Sequence, residues 1–205
     1  MPEFYCPEGM AQCAAIVKKG GVIVFPTDTI YGIGCDPYNG AAVGRIFSIK
    51  GRDEGKPLPV LVSDIKVAER LVDLGKAGRL LASRFWPGAL TIVAPLLDSR
   101  VSDKVAAGKK SLAVRMPAND CALALLKQCS FIVGTSANLS GKKPCTTAQQ
   151  VKESGLEGYD ALLASSETLA GKESTIIDVT GPKPTIIRHG AIAASEIDAI
   201  LGKRR

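Results

Sequence analysis

The chain has 205 residues, 46% of them hydrophobic and 22% charged, which is the composition of an ordinary globular protein and excludes disordered and fibrous classes. Lysine and arginine total 26 against 20 aspartate and glutamate residues, and the net charge of +6 is compatible with an anionic partner. No apolar run approaches the roughly 18 residues of a membrane-spanning helix, and the N-terminus has no apolar signal segment, so we predict a cytoplasmic protein with no membrane partner.

Short apolar runs alternate with helical patterns in the first half of the chain. A predicted helix at residues 7–18 precedes a buried strand at residues 21–25, which ends at Pro26. Helical spacing returns at residues 39–49 and ends at Gly51. A strand at residues 57–62 is followed by a helical pair at 65–74 and 77–85, with Ser63 and Asp64 as caps. Strands are then predicted at residues 89–95 and 111–116.

The second half continues the alternation. A helix capped by Asn119 or Asp120 runs to about residue 127 and is followed by a strand at residues 131–134. A helix capped by Thr146 or Thr147 runs to about residue 154, strands follow at 161–164, 174–179 and 185–188, and a short helix runs from Ser195 to residue 202. These patterns predict one α/β domain over residues 1–205, with a single mixed parallel and antiparallel sheet flanked by helices.

The cysteines do not form a metal-binding or disulfide pattern. They contain no Cys-x-x-Cys pair, and His189 is the single histidine. We therefore expect neither a zinc site nor a disulfide framework, but small buried or half-buried thiols. The six are Cys6, Cys13, Cys35, Cys121, Cys129 and Cys145.

The common nucleotide and hydrolase motifs are absent from the sequence. Residues 51–57 are one residue short of a P-loop and end in proline, and residues 32–34 lack the third glycine of a dinucleotide fingerprint. A single histidine and the lack of a Gly-x-Ser-x-Gly turn also give a hydrolase triad little support.

Hydroxyl groups and cations instead follow the predicted strands and helices. Residues 26–34 combine hydroxyls with glycines, which suits a polar ligand but equally a turn stabilised by threonine and aspartate side chains. Lys50, Arg52 and Lys56 place three cations at a helix exit, where they could converge on a polyphosphate or form a solvated helix cap.

Three further segments extend this pattern. Arg115 shares one strand face with Ser111, and it is either a fork for a carboxylate or phosphate or an exposed side chain. Residues 134–141 form a hydroxyl-rich turn that suits phosphate or ribose. Ser174 and Arg188 lie at the edges of consecutive strands. Together these segments predict one polar, basic, hydroxyl-rich surface.

In order and spacing these segments resemble the YrdC family of threonylcarbamoyl-adenylate synthases, over about residues 11–190. The resemblance implies a single twisted YrdC-like α/β domain with a large basic concave cavity. The matching segments are Pro26-Thr27-Asp28-Thr29, Tyr31-Gly32-Ile33-Gly34, Lys50-Gly51-Arg52, Lys56-Pro57, Phe85-Trp86-Pro87-Gly88-Ala89-Leu90-Thr91, Arg115-Met116-Pro117, Ser136-Ala137-Asn138-Leu139-Ser140-Gly141, Ser174-Thr175 and Arg188-His189-Gly190.

The resemblance also implies a reaction: L-threonine, bicarbonate or CO2, and ATP give threonylcarbamoyl-AMP and pyrophosphate, for threonylcarbamoyladenosine in tRNA. Mg2+ would arrive with ATP, with no metal site of the protein's own. Matching positions would hold threonine at Thr29, Arg115, Ser174 and the backbone of Gly134. ATP would be held by Lys50, Arg52, Lys56, Ser111, Ser136, Asn138 and Arg188, with Lys50 and Arg52 as the catalytic cations.

Two departures from the family pattern stand out. Leu61 occupies a position where the archaeal form of the family often has histidine, which puts one threonine contact in doubt. The turn at residues 142–145 carries an extra residue, so an ATP contact there falls to either Pro144 or Cys145. The chain resembles the short form of the family, and separate proteins would transfer the carbamoyl group to tRNA.

Two other functions fit parts of the sequence. A basic concave surface could bind double-stranded RNA or tRNA without catalysis, although only 5% of the residues are aromatic and few could stack on bases. A carbamoyl-phosphate-using transferase of the hydrogenase-maturation type is a weaker alternative, because the chain lacks the acylphosphatase and zinc-finger regions of such proteins.

Overall fold

The computed structural model describes residues 2–202; residue 1 and residues 203–205, which belong to the predicted domain, lie outside the described part. The strands of the described part are β1 (Glu3–Tyr5), β2 (Ile23–Phe25), β3 (Gly32–Gly34), β4 (Val60–Val62), β5 (Leu90–Pro95), β6 (Ser111–Arg115), β7 (Phe131–Val133), β8 (Thr135–Ser136), β9 (Ala161–Ala164), β10 (Thr175–Asp178) and β11 (Thr185–Arg188). The helices are α1 (Met10–Lys18), α2 (Gly40–Lys50), α3 (Ile65–Leu71), α4 (Gly75–Phe85), α5 (Asp103–Ala106), α6 (Asp120–Cys129), α7 (Ala148–Glu153) and α8 (Ala194–Ile200).

The strands form two sheets. One has five strands in the order β1-β9-β2-β3-β8, and the other has six in the order β11-β10-β5-β6-β4-β7. In the first sheet β9 is parallel to β1 and β2, whereas β3 is antiparallel to β2 and β8. In the second, β5–β10 and β4–β6 are parallel pairs and the remaining neighbours are antiparallel.

The predicted mixture of parallel and antiparallel pairs is confirmed, but the prediction of a single sheet is wrong. Apolar periodicity marks the residues that form a strand without showing which strand it pairs with. The chain leaves the six-stranded sheet after β7, passes through Gly134, and enters the five-stranded sheet as β8. One short segment therefore belongs to both sheets.

Burial on both faces explains the uninterrupted apolar run of β2. Val24 packs in the larger of two apolar clusters, between the sheets, while Ile23 and Phe25 pack in a smaller one. Successive side chains of a strand point to opposite faces, so both faces of β2 require apolar residues. The smaller cluster also includes Val17 of α1 and Leu125 of α6.

Side-chain caps decide where several helices begin. Asn39 accepts hydrogen bonds from the Ala41 and Ala42 amides at the start of α2. For α6 the sequence offered Asn119 or Asp120 as the cap, and the side chain of Asn119 accepts from the amide of Ala122. For α7 it offered Thr146 or Thr147, and the side chain of Thr147 accepts from the amide of Gln150. These oxygens satisfy amides that have no partner within the helix.

Four short elements were not predicted: β1, β3, β8 and α5. Strand β3 lies within the segment interpreted as a turn, and two of its three residues are glycines. A Cβ atom at Gly34 would overlap the carbonyl oxygen of Val133, so the close approach of β3 to β7 requires glycine. Strands β2, β4 and β7 are just as short, but continuous apolar runs mark them in the sequence, and the four missed elements have no such run.

The absence of a disulfide was also predicted wrongly. Cys6 and Cys121 form a disulfide, with a Cα–Cα distance of 6.0 Å across a separation of 115 residues. Packing of α1 against α6 brings these remote cysteines together. Cys13, Cys35 and Cys145 are buried free thiols and Cys129 is half-buried, as the sequence predicted.

Among residues 2–202, no helix has both the length and the apolar character needed to cross a membrane.

Candidate functional site

A cavity of about 160 Å³ lies between the two sheets and is lined by residues from both. Its lining has three groups of side chains. The hydroxyl residues are Thr27, Thr29, Thr91, Thr135, Ser136 and Ser174; the charged residues are Arg52, Arg115, Glu173 and Arg188; and the apolar residues include Ile30, Pro57, Pro59, Leu61 and Ile176.

Arg115 stands at the end of β6 and is held by three hydrogen bonds. Its Nη2 forms an ion pair with Asp28 Oδ1 at 2.6 Å, its Nη1 donates to Thr29 Oγ1 at 3.0 Å, and its Nε donates to the carbonyl of Gly88 at 3.0 Å. Burial lowers the pKa of Arg115, and the Asp28 carboxylate opposes that shift. A guanidinium has five N–H groups, so two remain for a ligand anion.

The turn after β2 orients the hydroxyl of Thr29. Thr27 Oγ1 donates to the carbonyl of Ile30 at 2.7 Å and accepts from the amides of Thr29 and Ile30. The two threonine hydroxyl oxygens lie 3.0 Å apart, and Arg115 Nη1 donates to Thr29 Oγ1. The Thr29 oxygen therefore faces Arg115 as an acceptor.

A second network joins β5, β10 and β11. Ser174 Oγ lies 2.8 Å from Thr91 Oγ1, and both hydroxyls are buried. Arg188 Nη2 donates to Ser174 Oγ at 3.0 Å and to the Ser174 carbonyl at 2.9 Å. Arg188 Nη1 also forms an ion pair with Glu173 at 3.2 Å. This network fixes the guanidinium of Arg188 at the cavity wall.

Lys50 lies behind the cavity and not in its lining. Its side chain is 2% exposed, and its Nζ donates to the carbonyls of Ser136 and Asn138, the latter at 2.6 Å. Burial, with a smaller contribution from Arg52, lowers the pKa of Lys50 to about 8. In this structure the ammonium group holds the turn that follows β8.

Two buried polar atoms near the cavity lack a hydrogen-bond partner among the described residues. They are Nε of Arg52 and Oδ1 of Asn138. Arg52 lines the cavity, donates through Nη2 to the carbonyl of Pro57 at 3.2 Å, and has its pKa lowered by burial. An unpartnered buried polar group costs about 1 to 3 kcal/mol. A ligand that supplies the missing partners would remove that cost.

The Sua5/YciO/YrdC family model, with the description "Telomere recombination", matches residues 15–190. The chain belongs to the Sua5/YciO/YrdC family. The resemblance seen in the motifs is thereby confirmed.

Several members of the Sua5/YciO/YrdC family are close relatives. The threonylcarbamoyl-AMP synthase of Bacillus subtilis is 38% identical over 94% of this chain, which spans only 56% of that protein. Pyrococcus abyssi Sua5 complexed with L-threonine has a TM-score of 0.92 and 33% identity, covering 100% of this chain and 61% of its own. Escherichia coli YciO has a TM-score of 0.86 and 25% identity, covering 96% and 100%. The chain therefore spans little more than half the length of the first two relatives, and these structures confirm the predicted mixed α/β fold.

Most of the predicted site residues of this chain line the cavity between its two sheets. Those in its lining are Thr29, Arg52, Arg115, Gly134, Ser136, Ser174 and Arg188. Their binding roles stay predictions. Leu61 also lines the cavity, beside Gly134 and in register with Arg115. It presents an apolar side chain at the position where the archaeal form of the family often has histidine.

Other predicted residues lie outside the lining. Lys50 and Asn138 are buried beneath it, and Lys56 is exposed. Ser111 begins β6 and Arg115 ends it, which separates them by roughly 13 Å along the strand. Neither Pro144 nor Cys145 belongs to the lining as described.

The sequence analysis did not assign Thr27, Asp28, Thr91 or Glu173 to the site. All four occur in or beside the matching segments, and each of them contacts a residue that was assigned. Glu173 directly precedes Ser174, and it pairs with Arg188. A search for carboxylates that could balance the predicted site arginines is the signal that points to Asp28 and Glu173.

Proposed function

We propose that the chain is an L-threonylcarbamoyladenylate synthase, a nucleotidyltransferase that condenses L-threonine, bicarbonate or CO2, and ATP. One observation carries the proposal: Arg115, Arg52 and Arg188 line the same cavity as the hydroxyls of Thr29 and Ser174. The synthase names of the relatives and the L-threonine complex of Pyrococcus abyssi Sua5 support it. They favour the enzyme over the alternative of a non-catalytic RNA-binding module.

Threonine would enter at the Arg115 end of the cavity. The two N–H groups of Arg115 that are not used within the protein can bind the α-carboxylate, as arginine forks commonly do. The Thr29 oxygen and the Ser174 hydroxyl offer further polar contacts beside it. Leu61 would contact the aliphatic part of the substrate.

The chemistry requires two anions to meet. The threonine ammonium and bicarbonate give the carbamate, with loss of water and one proton. A carbamate oxygen then bonds to the α-phosphorus of ATP, and the bond from that phosphorus to the oxygen bridging the β-phosphate breaks, which releases pyrophosphate. Arg52 and Arg188 would reduce the repulsion between the carbamate and the phosphates and stabilise charge on the leaving group.

Lys50 would contribute through the turn that it holds. Its hydrogen bonds to the carbonyls of Ser136 and Asn138 set the position of the predicted ATP-binding turn. A direct contact between Lys50 and a phosphate would require these bonds to be exchanged for bonds to ATP. The catalytic assignment of Lys50 and Arg52 is part of the proposal, as are ATP contacts from Lys56, Ser111, Asn138 and the 142–145 turn.

Mg2+ fits this cavity only as a partner of the triphosphate. Among residues 2–202, no group of three histidine, cysteine, aspartate or glutamate side chains could hold a metal ion. Glu173 is the carboxylate in the described lining, so phosphate oxygens and water would supply most of the ligands, as is usual for Mg2+ with nucleotides. The ion would supply charge neutralisation on the phosphates.

The product is reactive and has to be passed on. We place the reaction in the cytoplasm, within one domain of residues 1–205 whose cavity is basic, and expect a separate protein to transfer the threonylcarbamoyl group to tRNA. Binding of tRNA or double-stranded RNA to this chain itself stays a prediction from charge.

The test is release of pyrophosphate from Mg-ATP by the purified protein, with and without L-threonine and bicarbonate, and with L-serine as the control amino acid. We expect release to require both cosubstrates. Arg52→Ala should reduce it by about 100-fold or more, because a preorganised cation is lost from the phosphate site. Arg70→Ala is the matched control, since Arg70 is exposed and lies outside the cavity lining. Release without threonine, or equal activity of both variants, would reject the proposal.

A further inference from the structure

We infer that Glu173 is the residue that recognises the ammonium group of the amino-acid substrate and so selects a zwitterion over a simple carboxylate. This inference rests on the proposed function and extends it. Among the described residues that line the cavity, Glu173 is the only one with a negative charge, and three arginines share that lining.

The backbone holds Glu173 firmly at the cavity wall. The amide of Ala191 donates to its carbonyl at 2.9 Å, and a Cβ atom at Gly190 would overlap the backbone of Ser174. Just upstream, the amide of Gly171 donates to the carbonyl of Thr29 at 2.8 Å. Glu173 is therefore tied both to the strand pair β10–β11 and to the turn that carries Thr29.

The carboxylate of Glu173 has capacity for a ligand. Its Oε1 accepts from Arg188 at 3.2 Å, and no other hydrogen bond to the side chain occurs within residues 2–202. The side chains of Arg188 and Glu173 are 38% and 43% exposed, so their ion pair is partly solvated and holds the carboxylate only weakly. A ligand ammonium can bind Oε2 without breaking the contact with Arg188.

The positive charge of the cavity favours such a group. Arg52, Arg115 and Arg188 attract a carboxylate or a phosphate, but they repel the ammonium of an amino acid. Like charges repel more strongly in a partly desolvated cavity than in water. Burial lowers the pKa of Arg52, and the negative charges of Asp53 and, more weakly, Glu173 oppose that shift.

Glu173 lines the same cavity as Arg115, which is the residue proposed to hold the carboxylate of the amino acid. Arg188 lies near both residues: it bonds to Glu173 and Ser174, and its positive charge adds to the lowering of the Arg115 pKa by burial. Arg115 binds the α-carboxylate in the proposed mode, and the α-ammonium is one carbon away. The opposite charges of Arg115 and Glu173 then match the two ends of the zwitterion.

The experiment compares two ligands that differ by the ammonium alone. L-Threonine and 3-hydroxybutanoate share the carbon chain, the carboxylate and the hydroxyl. Calorimetric titration of the wild-type protein, Glu173→Gln, Glu173→Asp and the control Glu167→Gln measures both affinities. Glu167 is an exposed carboxylate in the same connecting segment and lies outside the cavity lining.

We expect the wild-type protein and Glu167→Gln to prefer threonine to 3-hydroxybutanoate by at least tenfold. In Glu173→Gln the preference should fall to about twofold or less, through weaker threonine binding and unchanged or tighter binding of 3-hydroxybutanoate. Glu173→Asp keeps the charge on a shorter side chain and should give an intermediate ratio. In the pyrophosphate assay, Glu173→Gln should raise the KM for threonine and leave the KM for Mg-ATP unchanged or lower.

Two results would overturn the role of Glu173 while leaving the synthase proposal intact. One is an unchanged preference ratio in Glu173→Gln beside an active wild-type protein. The other is a defect confined to the KM for Mg-ATP or to the Mg2+ requirement, which would assign Glu173 to the phosphate site. Absence of threonine-dependent pyrophosphate release from the wild-type protein would instead reject the synthase itself.

Discussion

Replacement of Arg115 by methionine should destabilise the folded protein by about 3 to 5 kcal/mol, because it leaves the Asp28 carboxylate buried without its cation. The two side chains are only 7% and 15% exposed, so water screens the 2.6 Å ion pair little. Methionine fills a similar volume, but it also leaves Thr29 Oγ1 and the carbonyl of Gly88 without their donor. Threonine binding should be lost with the charge.

Urea unfolding of four proteins measures the effect: wild type, Arg115→Met, Asp28→Asn and the double variant. The double variant should be more stable than Arg115→Met by about 2 kcal/mol, because a neutral amide costs less to bury than an unpaired carboxylate. Arg79→Met is the matched control, since its ion pair with Glu69 is exposed and should contribute about 1 kcal/mol or less. A loss below 1 kcal/mol in Arg115→Met, or a coupling energy near zero, would refute this reasoning.

Three further predictions test other parts of the structure. Burial lowers the pKa of Lys50 to about 8, whereas a lysine in the unfolded chain has a pKa of about 10.4. Between these two pH values the unfolded chain binds more protons than the folded protein. The free energy of unfolding should therefore rise with pH across that range, by at most about 3 kcal/mol. Lys50→Met should flatten the rise in urea midpoints measured from pH 7.5 to 10.5; an equal rise in the variant would contradict the assignment. A Cβ atom at residue 134 would lie 2.6 Å from Leu61 Cδ1, so Gly134→Ala should lower the free energy of unfolding by about 1 to 3 kcal/mol and weaken threonine binding. In a Leu61→Ala background the same substitution should cost less. Additive losses in the two variants would argue against a clash between residues 134 and 61. Without a reductant, Cys6→Ser should lower the free energy of unfolding by about 4 to 5 kcal/mol, the loss expected from chain entropy for a 115-residue separation. Dithiothreitol should destabilise the wild-type protein and leave the variant unchanged. Identical urea midpoints for the two proteins without a reductant would show that Cys6 and Cys121 are not linked.

Much of the local structure follows from the sequence. The strands at residues 161–164 and 185–188 were predicted with the bounds that the structure has, since apolar runs between turn residues mark strands directly. Helix starts followed from capping residues such as Asn119 and Thr147, because a cap acts on amides two or three residues away. The family followed from the order of the motifs, and so did seven of the residues that line the cavity.

Pairing between remote segments was decided only by the tertiary structure. Asp28 and Arg115 are 87 residues apart, Cys6 and Cys121 are 115 apart, and no local pattern joins either pair. The burial of Lys50 beneath the turn after β8 was also decided by tertiary packing. Lys50 was predicted to be a cation of the ATP site, but in the structure its Nζ donates to the carbonyls of Ser136 and Asn138.

The division of the strands into two sheets shows why the sequence could not predict the pairing of remote segments. Side-chain periodicity reports the environment of each residue along its own element, so the sequence determined which residues form strands and which of them carry chemistry. Backbone hydrogen bonds between strands contain no side-chain information, so the division into two sheets, with Gly134 between them, depended on how the whole chain packs. The cavity lies between those sheets, and its pairing of Arg188 with Glu173 exists only in the folded molecule.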